Sequence, residues 1–158
     1  MGRAVDFQLH LSTETVDQAE TVQPLLVAPE ETVADILTKM KSNNADSVLI
    51  CRDDVLVGIF TERDVLKLMA GGEDLNVPVE DAMVSPPVTV AETDTVGRAI
   101  GMMSGGGYRR LPIIDELGRP TGLLKASGIL HYLVQHFPNT IYTLPPEPNH
   151  TTQNREGA

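Results

Sequence analysis

Tryptophan is absent, and three Phe and three Tyr bring the aromatics to only 4% of residues. The core must therefore be aliphatic, built from Val, Ile, Leu, Met and Ala, and a hydrophobic content of 41% is enough to form one. Cysteine is reduced to Cys51, which excludes an intramolecular disulfide and fits a reducing compartment. Basic residues are scarce, with 12 Lys and Arg against 22 Asp and Glu, for a formal net charge of -10. A general nucleic-acid binder must neutralise phosphates with clustered cations. An anionic membrane surface makes the same demand, so neither is expected as a partner. A small phosphate-bearing ligand stays open where local arginines overcome the overall field. No run of about 18 apolar residues is present, and residues 1–25 lack the basic-then-apolar order of a signal peptide. The expected location is cytoplasmic.

What the chain does have is self-similarity. Val16-Asp17-Gln18-Ala19 returns as Val79-Glu80-Asp81-Ala82, Thr32-Val33 as Thr95-Val96, and Met40 as Met103. Each pair is 63 residues apart (16 to 79, 32 to 95, 40 to 103). Gly58 and Gly122 are 64 apart, so the second copy has gained one residue, placed in its Asp115–Gly118 turn. A period this long exceeds that of solenoid repeats and suits two small subdomains packed together.

Both copies carry the same order of elements. A short apolar strand, Leu25–Val27 or Val88–Val90, leads through a polar turn into an amphipathic helix. Val33, Ile36, Leu37 and Met40 stand at i, i+3, i+4 and i+7, and Val96, Ala99, Ile100 and Met103 repeat that face. Thr32 with Asp35 resembles a capping box. Strands Ser47–Arg52 and Leu56–Thr61 follow, joined by Asp53-Asp54, with counterparts Arg110–Asp115 and Pro120–Lys125. A last helix closes each copy, about Arg63–Ala70 and Ala126–His136, with Gly71-Gly72 as the stop of the first. The expectation is an α+β fold: two tandem β-α-β-β-α repeats, 16–76 and 77–137, packed sheet to sheet as one pseudo-two-fold module. Neither repeat has enough apolar surface to stand comfortably alone.

Outside the repeats, Val5, Phe7, Leu9 and Leu11 alternate with polar residues, the pattern of a strand within an N-terminal extension, 1–15. Residues 138–158, with Pro138, Pro145, Pro146 and Pro148, read as a flexible tail. Asn149-His150-Thr151 matches a glycosylation sequon that a cytoplasmic protein would not use. His10, His131, His136 and His150 have no metal-ligand spacing, and His131 and His136 read as solvated. Met40, Met69, Met102 and Met103 read as core fillers. No nucleophile elbow is present, and acidic pairs such as Glu73-Asp74 and Glu80-Asp81 fall at turns or helix starts. No catalysis, metal or required cofactor is expected. Gly105-Gly106-Gly107 lacks the Lys-Ser/Thr of a phosphate loop and reads as a flexible helix-to-strand turn.

Two motifs carry a family resemblance. Gly58-Ile59-Phe60-Thr61-Glu62-Arg63-Asp64 resembles the G-h-h-T/S-x-x-D signature of the CBS domain, named after cystathionine β-synthase. Arg109-Arg110-Leu111-Pro112-Ile113-Ile114-Asp115 is similar to its R-h-P-h-h-D segment. Together with the paired copies, the resemblance covers about residues 16–136. It implies a free-standing regulatory pair that binds an adenosyl ligand between its repeats: AMP, ADP or ATP, with S-adenosylmethionine or an NAD-type ligand as alternatives. It also implies a disc-like homodimer and a regulated partner protein.

By that resemblance Asp64 accepts both ribose hydroxyls, which suits charge-assisted hydrogen bonds. The Thr61 hydroxyl and the free amides of the first helical turn meet phosphate, aided by the helix dipole, and Arg63 beside them is a further ligand-binding candidate. Arg110 supplies a planar fork for phosphate oxygens. Backbone around Val88, Thr89 and Val90 and around Gly107 and Tyr108 holds adenine, with Ile59 packed on it. Thr61-x-x-Asp64 is equally the spacing of a helix cap, and Arg109 and Arg110 suit surface arginines at a strand start. The second copy departs from the signature, with Lys125-x-x-Gly128 at the places of Thr61 and Asp64. Lys125 and Arg109 remain candidates for a phosphate in that second cleft. The first copy offers Asp46 and Ser47 opposite Arg109 and Arg110, which would not attract one. One competent site per chain is expected, and a ligand-free assembly module is the alternative function.

Overall fold

The computed structural model describes residues 11–136. Its elements are strands β1 (Thr21–Val22), β2 (Leu26–Val27), β3 (Ser47–Arg52), β4 (Val55–Thr61), β5 (Val90–Ala91), β6 (Arg110–Ile114) and β7 (Pro120–Lys125). The helices are α1 (Val33–Ser42), α2 (Glu62–Ala70), α3 (Val96–Gly106) and α4 (Ala126–His136). One sheet runs β2-β3-β4 and the other β1-β7-β6-β5. In each, a parallel pair (β2·β3, β5·β6) adjoins an antiparallel hairpin (β3·β4, β6·β7). Ile50 pairs with Gly58 in the first hairpin and Ile113 with Gly122 in the second, so the extra residue does lie in the second hairpin's loop.

Two Thr hydroxyls start the equivalent helices. Thr32 Oγ1 accepts from Asp35 N at 3.2 Å, and Thr95 Oγ1 from Arg98 N at 3.0 Å. The 3.6-residue stripe then turns inward: Val33, Ile36 and Met40 are buried on α1, Val96 and Ala99 on α3. Val48 and Ile50 of β3 meet that helical face, and the alternate residues Ser47 and Leu49 are buried too. A strand hidden on both faces is one with helices on one side and the second sheet on the other.

The packing and the sequence period divide the chain at different places. Val16 and Ala19 belong to the cluster of Val90, Val96, Leu111, Leu124 and Ile129, in the second sheet. Val79, the counterpart of Val16, belongs to the cluster of Val27, Ile36, Ile50 and Phe60, in the first. The exchange is reciprocal in the backbone. Val16 N donates to Asp94 O and Val79 N to Glu31 O, both at 2.8 Å, while Val33 N reaches Val77 O and Val96 N reaches Glu14 O. Strand β1 likewise pairs with β7 across the module.

Several expectations change. Leu11 lies in a helical turn at 11–13 rather than a strand, and Val5, Phe7 and Leu9 are outside the described residues, as are the tail, the sequon, His10 and His150. The first strand of copy two is Val90–Ala91, not Val88–Val90, since Val88 and Thr89 form no ladder pairs. Gly105 and Gly106 are the last residues of α3, and Gly107 alone takes the left-handed conformation, with φ 71. Met69 is 61% exposed and fills no core, unlike buried Met40. His131 is not merely solvated, because its Nδ1 pairs with the Glu20 carboxylate. Asp53 and Asp54 make a tight hairpin turn with φ 51 and 67, where Asp is better tolerated than most residues. No helix among the described residues is long and apolar enough to cross a membrane.

Candidate functional site

The corner between β4 and α2 places Thr61 and Asp64 together. Thr61 is extended, with φ -124 and ψ 169, and Asp64 stands three residues into the turn. Asp64 Oδ2 accepts from Thr61 N at 2.9 Å and from Thr61 Oγ1 at 3.1 Å. The carboxylate is thus a genuine cap. A carboxylate oxygen offers two lone pairs, and Oδ1 takes no hydrogen bond from the described residues, so an acceptor edge remains. The expected set of free amides is smaller than the motif implies: Glu62 N donates to Asp46 O at 3.1 Å.

A cleft of about 680 Å³ opens at this corner. It brings together Ile59, Thr61, Arg63 and Asp64 from the first copy with Val88, Gly107, Tyr108, Arg109 and Arg110 from the second. Thr89 does not line it, and Val90 is a core residue at 1% exposure. Arg109, assigned from sequence to the second cleft, stands in this one instead. The Tyr108 ring lies close over Gly106, where a Cβ would meet Cε2 at 2.2 Å. Glu62, Leu66, Lys67, Val84 and Pro86 also line the cleft and were missed. Leu66 and Lys67 stand one turn (i+4) after Glu62 and Arg63 on α2, a signal helical spacing could have given; the loop residues Val84 and Pro86 carried none.

Charge in the cleft opposes the charge of the whole chain. Arg63, Lys67 and Arg109 have no carboxylate partner among the described residues, and only Glu62 and Asp64 oppose them within the lining. Arg110 differs: its Nη2 donates to Asp46 Oδ2 at 3.0 Å, and its buried Nε has no partner. Lys125 Nζ donates to the same Asp46 oxygen at 3.4 Å. Burial pushes the Asp46 carboxyl upward, but Arg110 and Lys125 outweigh it and hold the group below the usual aspartate range.

The opposite cleft is built from the equivalent elements with different chemistry. It is split into cavities of about 380 and 180 Å³, with Asp46, Ser47 and Lys125 in the larger and Gly128 in the smaller. A Cβ on Gly128 would stand 2.4 Å from the Glu20 carbonyl. Backbone therefore fills the space that the Asp64 side chain has on the other side. Among the described residues no group of three or more His, Cys, Asp or Glu can hold a metal ion.

Comparison with known proteins matches a CBS domain at residues 16–71 and again at 79–135. The chain belongs to the CBS-domain family, as a tandem pair. An uncharacterized protein of Methanopyrus kandleri is 38% identical to the pair over 113 residues, 68% of this chain and 58% of that one. The chain thus spans little more than half of that relative. A solved CBS domain protein of Pyrobaculum aerophilum, complexed with AMP, superposes with a TM-score of 0.68 at 22% identity, covering 77% of this chain and 98% of its own. A solved CBS pair in complex with 5-methylthioadenosine and S-adenosyl-L-methionine gives a TM-score of 0.67 at 20% identity, with coverage of 77% and 99%. These likenesses establish the fold of the CBS pair. In this one the two signature motifs meet across a single cleft, Thr61 and Asp64 from one repeat facing the Arg109-Arg110 segment of the other.

Proposed function

We propose that this CBS pair is a regulatory module that binds an adenine nucleotide (AMP, ADP or ATP) in the Asp64 cleft, signals occupancy to a partner protein, and does no chemistry of its own. One observation carries the reading: a cleft of about 680 Å³ is lined by Asp64 together with Arg63, Lys67, Arg109 and Arg110, in a chain of net charge -10. That volume suits a small-molecule site, which typically measures roughly 300–1,000 Å³. Asp64 Oδ1 would accept the ribose hydroxyls, and Arg110 with the unpaired cations would take the phosphate. Ile59, Val88 and Tyr108 would flank the base. The AMP held by the Pyrobaculum aerophilum protein supports this choice. The S-adenosyl-L-methionine of the other relative is a competing ligand. Its sulfonium is cationic, which fits this lining less well.

Titration calorimetry with adenosine, AMP and S-adenosylmethionine tests the reading. AMP should bind most tightly. Arg110→Ala should weaken AMP by about 1.5–3 kcal/mol, the range for a charged hydrogen bond, and leave adenosine nearly unchanged. A competing reading, a ligand-free assembly module, draws on Leu66, Met69 and Leu130, 61–66% exposed on α2 and α4. It predicts no binding of any adenosyl compound. A homodimer through those helices is part of the present proposal as well.

A further inference from the structure

Resting on the nucleotide reading above, we propose that Asp46 is a built-in competitor for the ligand's phosphate, setting how strongly the Asp64 cleft favours a charged nucleotide over a neutral nucleoside. The geometry is that of one carboxylate oxygen shared by two cations from opposite clefts. Arg110 lines the Asp64 cleft and Lys125 the other, yet both end on Asp46 Oδ2, at 3.0 and 3.4 Å. Asp46 stands 63 residues before Arg109, so the first copy places a carboxylate where the second places a cleft cation. Arg110 is held by one hydrogen bond only, and its Nε is buried without a partner. Such a guanidinium is poorly satisfied and ready to exchange partners: a phosphate can offer the second acceptor that Asp46 does not.

Capture of Arg110 by a phosphate leaves Asp46 to Lys125 alone. The exchange is tolerable because a second cation remains. Drawing Lys125 away as well, by an anion in the opposite cleft, would strand the carboxylate. The two clefts therefore disfavour simultaneous anions, and Asp46 is the element that couples them. Nothing in this arrangement touches a ribose or a base, so a ligand without phosphate should not sense it.

Calorimetric titration of the full chain and its Asp46→Asn variant with adenosine and with AMP tests the proposal. The variant should bind AMP about twofold to fivefold more tightly, the scale of a partly screened ion pair, with adenosine affinity unchanged. Lys125→Met should move AMP affinity the other way, since Asp46 then has Arg110 as its sole partner; this second variant keeps the test sharp if Asp46→Asn folds poorly. Unchanged or weaker AMP binding in Asp46→Asn, with adenosine still bound, would overturn the competitor role and make Asp46 a support for Arg110. Failure of the parent chain to bind either compound would instead overturn the nucleotide reading, and this proposal with it.

Discussion

Asp64 shows how one side chain can answer to two demands. Its Oδ2 closes the start of α2, its Oδ1 takes no hydrogen bond from the described residues, and the residue lines the cleft. Asp64→Ala should lose both, about 1 kcal/mol of stability for the cap and roughly 1.5–3 kcal/mol of adenosine binding. Asp64→Asn keeps an acceptor for Thr61 N, so it should retain most of the stability and still bind weakly. Urea unfolding beside calorimetry separates the two; equal stability loss in both variants would contradict the division. Asp46 has a pH signature. Its folded pKa is depressed, since Arg110 and Lys125 overcome the upward push of burial. A depressed carboxylate stabilises above its unfolded value, about 4, and that contribution disappears as pH falls through the lower folded value. The urea midpoints of the parent and Asp46→Asn should differ at neutral pH and converge below about pH 4. With a third of the Asp46 side chain exposed, the difference should stay below about 1 kcal/mol. The motif made Asp64 legible, and local spacing made the cap legible beside it. Asp46 as partner of Arg110 was not, because the two are 64 residues apart and meet only when the repeats pack.

Among elements, the helices and long strands were legible because their periods are strong. Val33, Ile36 and Met40 on α1 are buried as their spacing requires, and Ser47–Arg52 forms a strand as read. Of the two-residue strands, Leu26–Val27 falls within the stretch read as Leu25–Val27, but Val90–Ala91 overlaps Val88–Val90 only at Val90, because so short a strand is bounded only by its pairing with β6. The exchanged turns at Val16–Gln18 and Val79–Asp81 were legible as a repeat but not as a swap, because the sequence gives similarity and no direction of packing. Glycines at helix positions provide a test. Gly128→Ala forces a Cβ to within 2.4 Å of the Glu20 carbonyl on a backbone with little freedom, and should destabilise by about 1–3 kcal/mol. Gly101→Ala, on α3 with nothing within 4 Å, should instead stabilise by about 0.5–1 kcal/mol. Thermal or urea unfolding of the two variants checks the opposite signs.

For the whole molecule, exposed Met69 and Leu130 leave apolar surface on two outer helices. The double variant Met69→Glu, Leu130→Glu should convert a dimer into a stable monomer by light scattering; a parent already monomeric at all workable concentrations would refute the expectation. The reciprocal placement of Val16 and Val79 carries a consequence for how the chain comes into being. Synthesis proceeds from the N-terminus, yet the first sheet's core is incomplete until Val79 has been made, and Val16 has no seat until residues as late as Ile129 exist. The first sheet's cluster, residues 25–83, can close once Val79 has been made, whereas the second must wait for the end of the pair, so the nascent chain holds Val16 and Ala19 in waiting. Contacts of such sequence separation slow folding. What they give in return is a tie between the two ends of the pair, with the Asp64 cleft lined from both repeats.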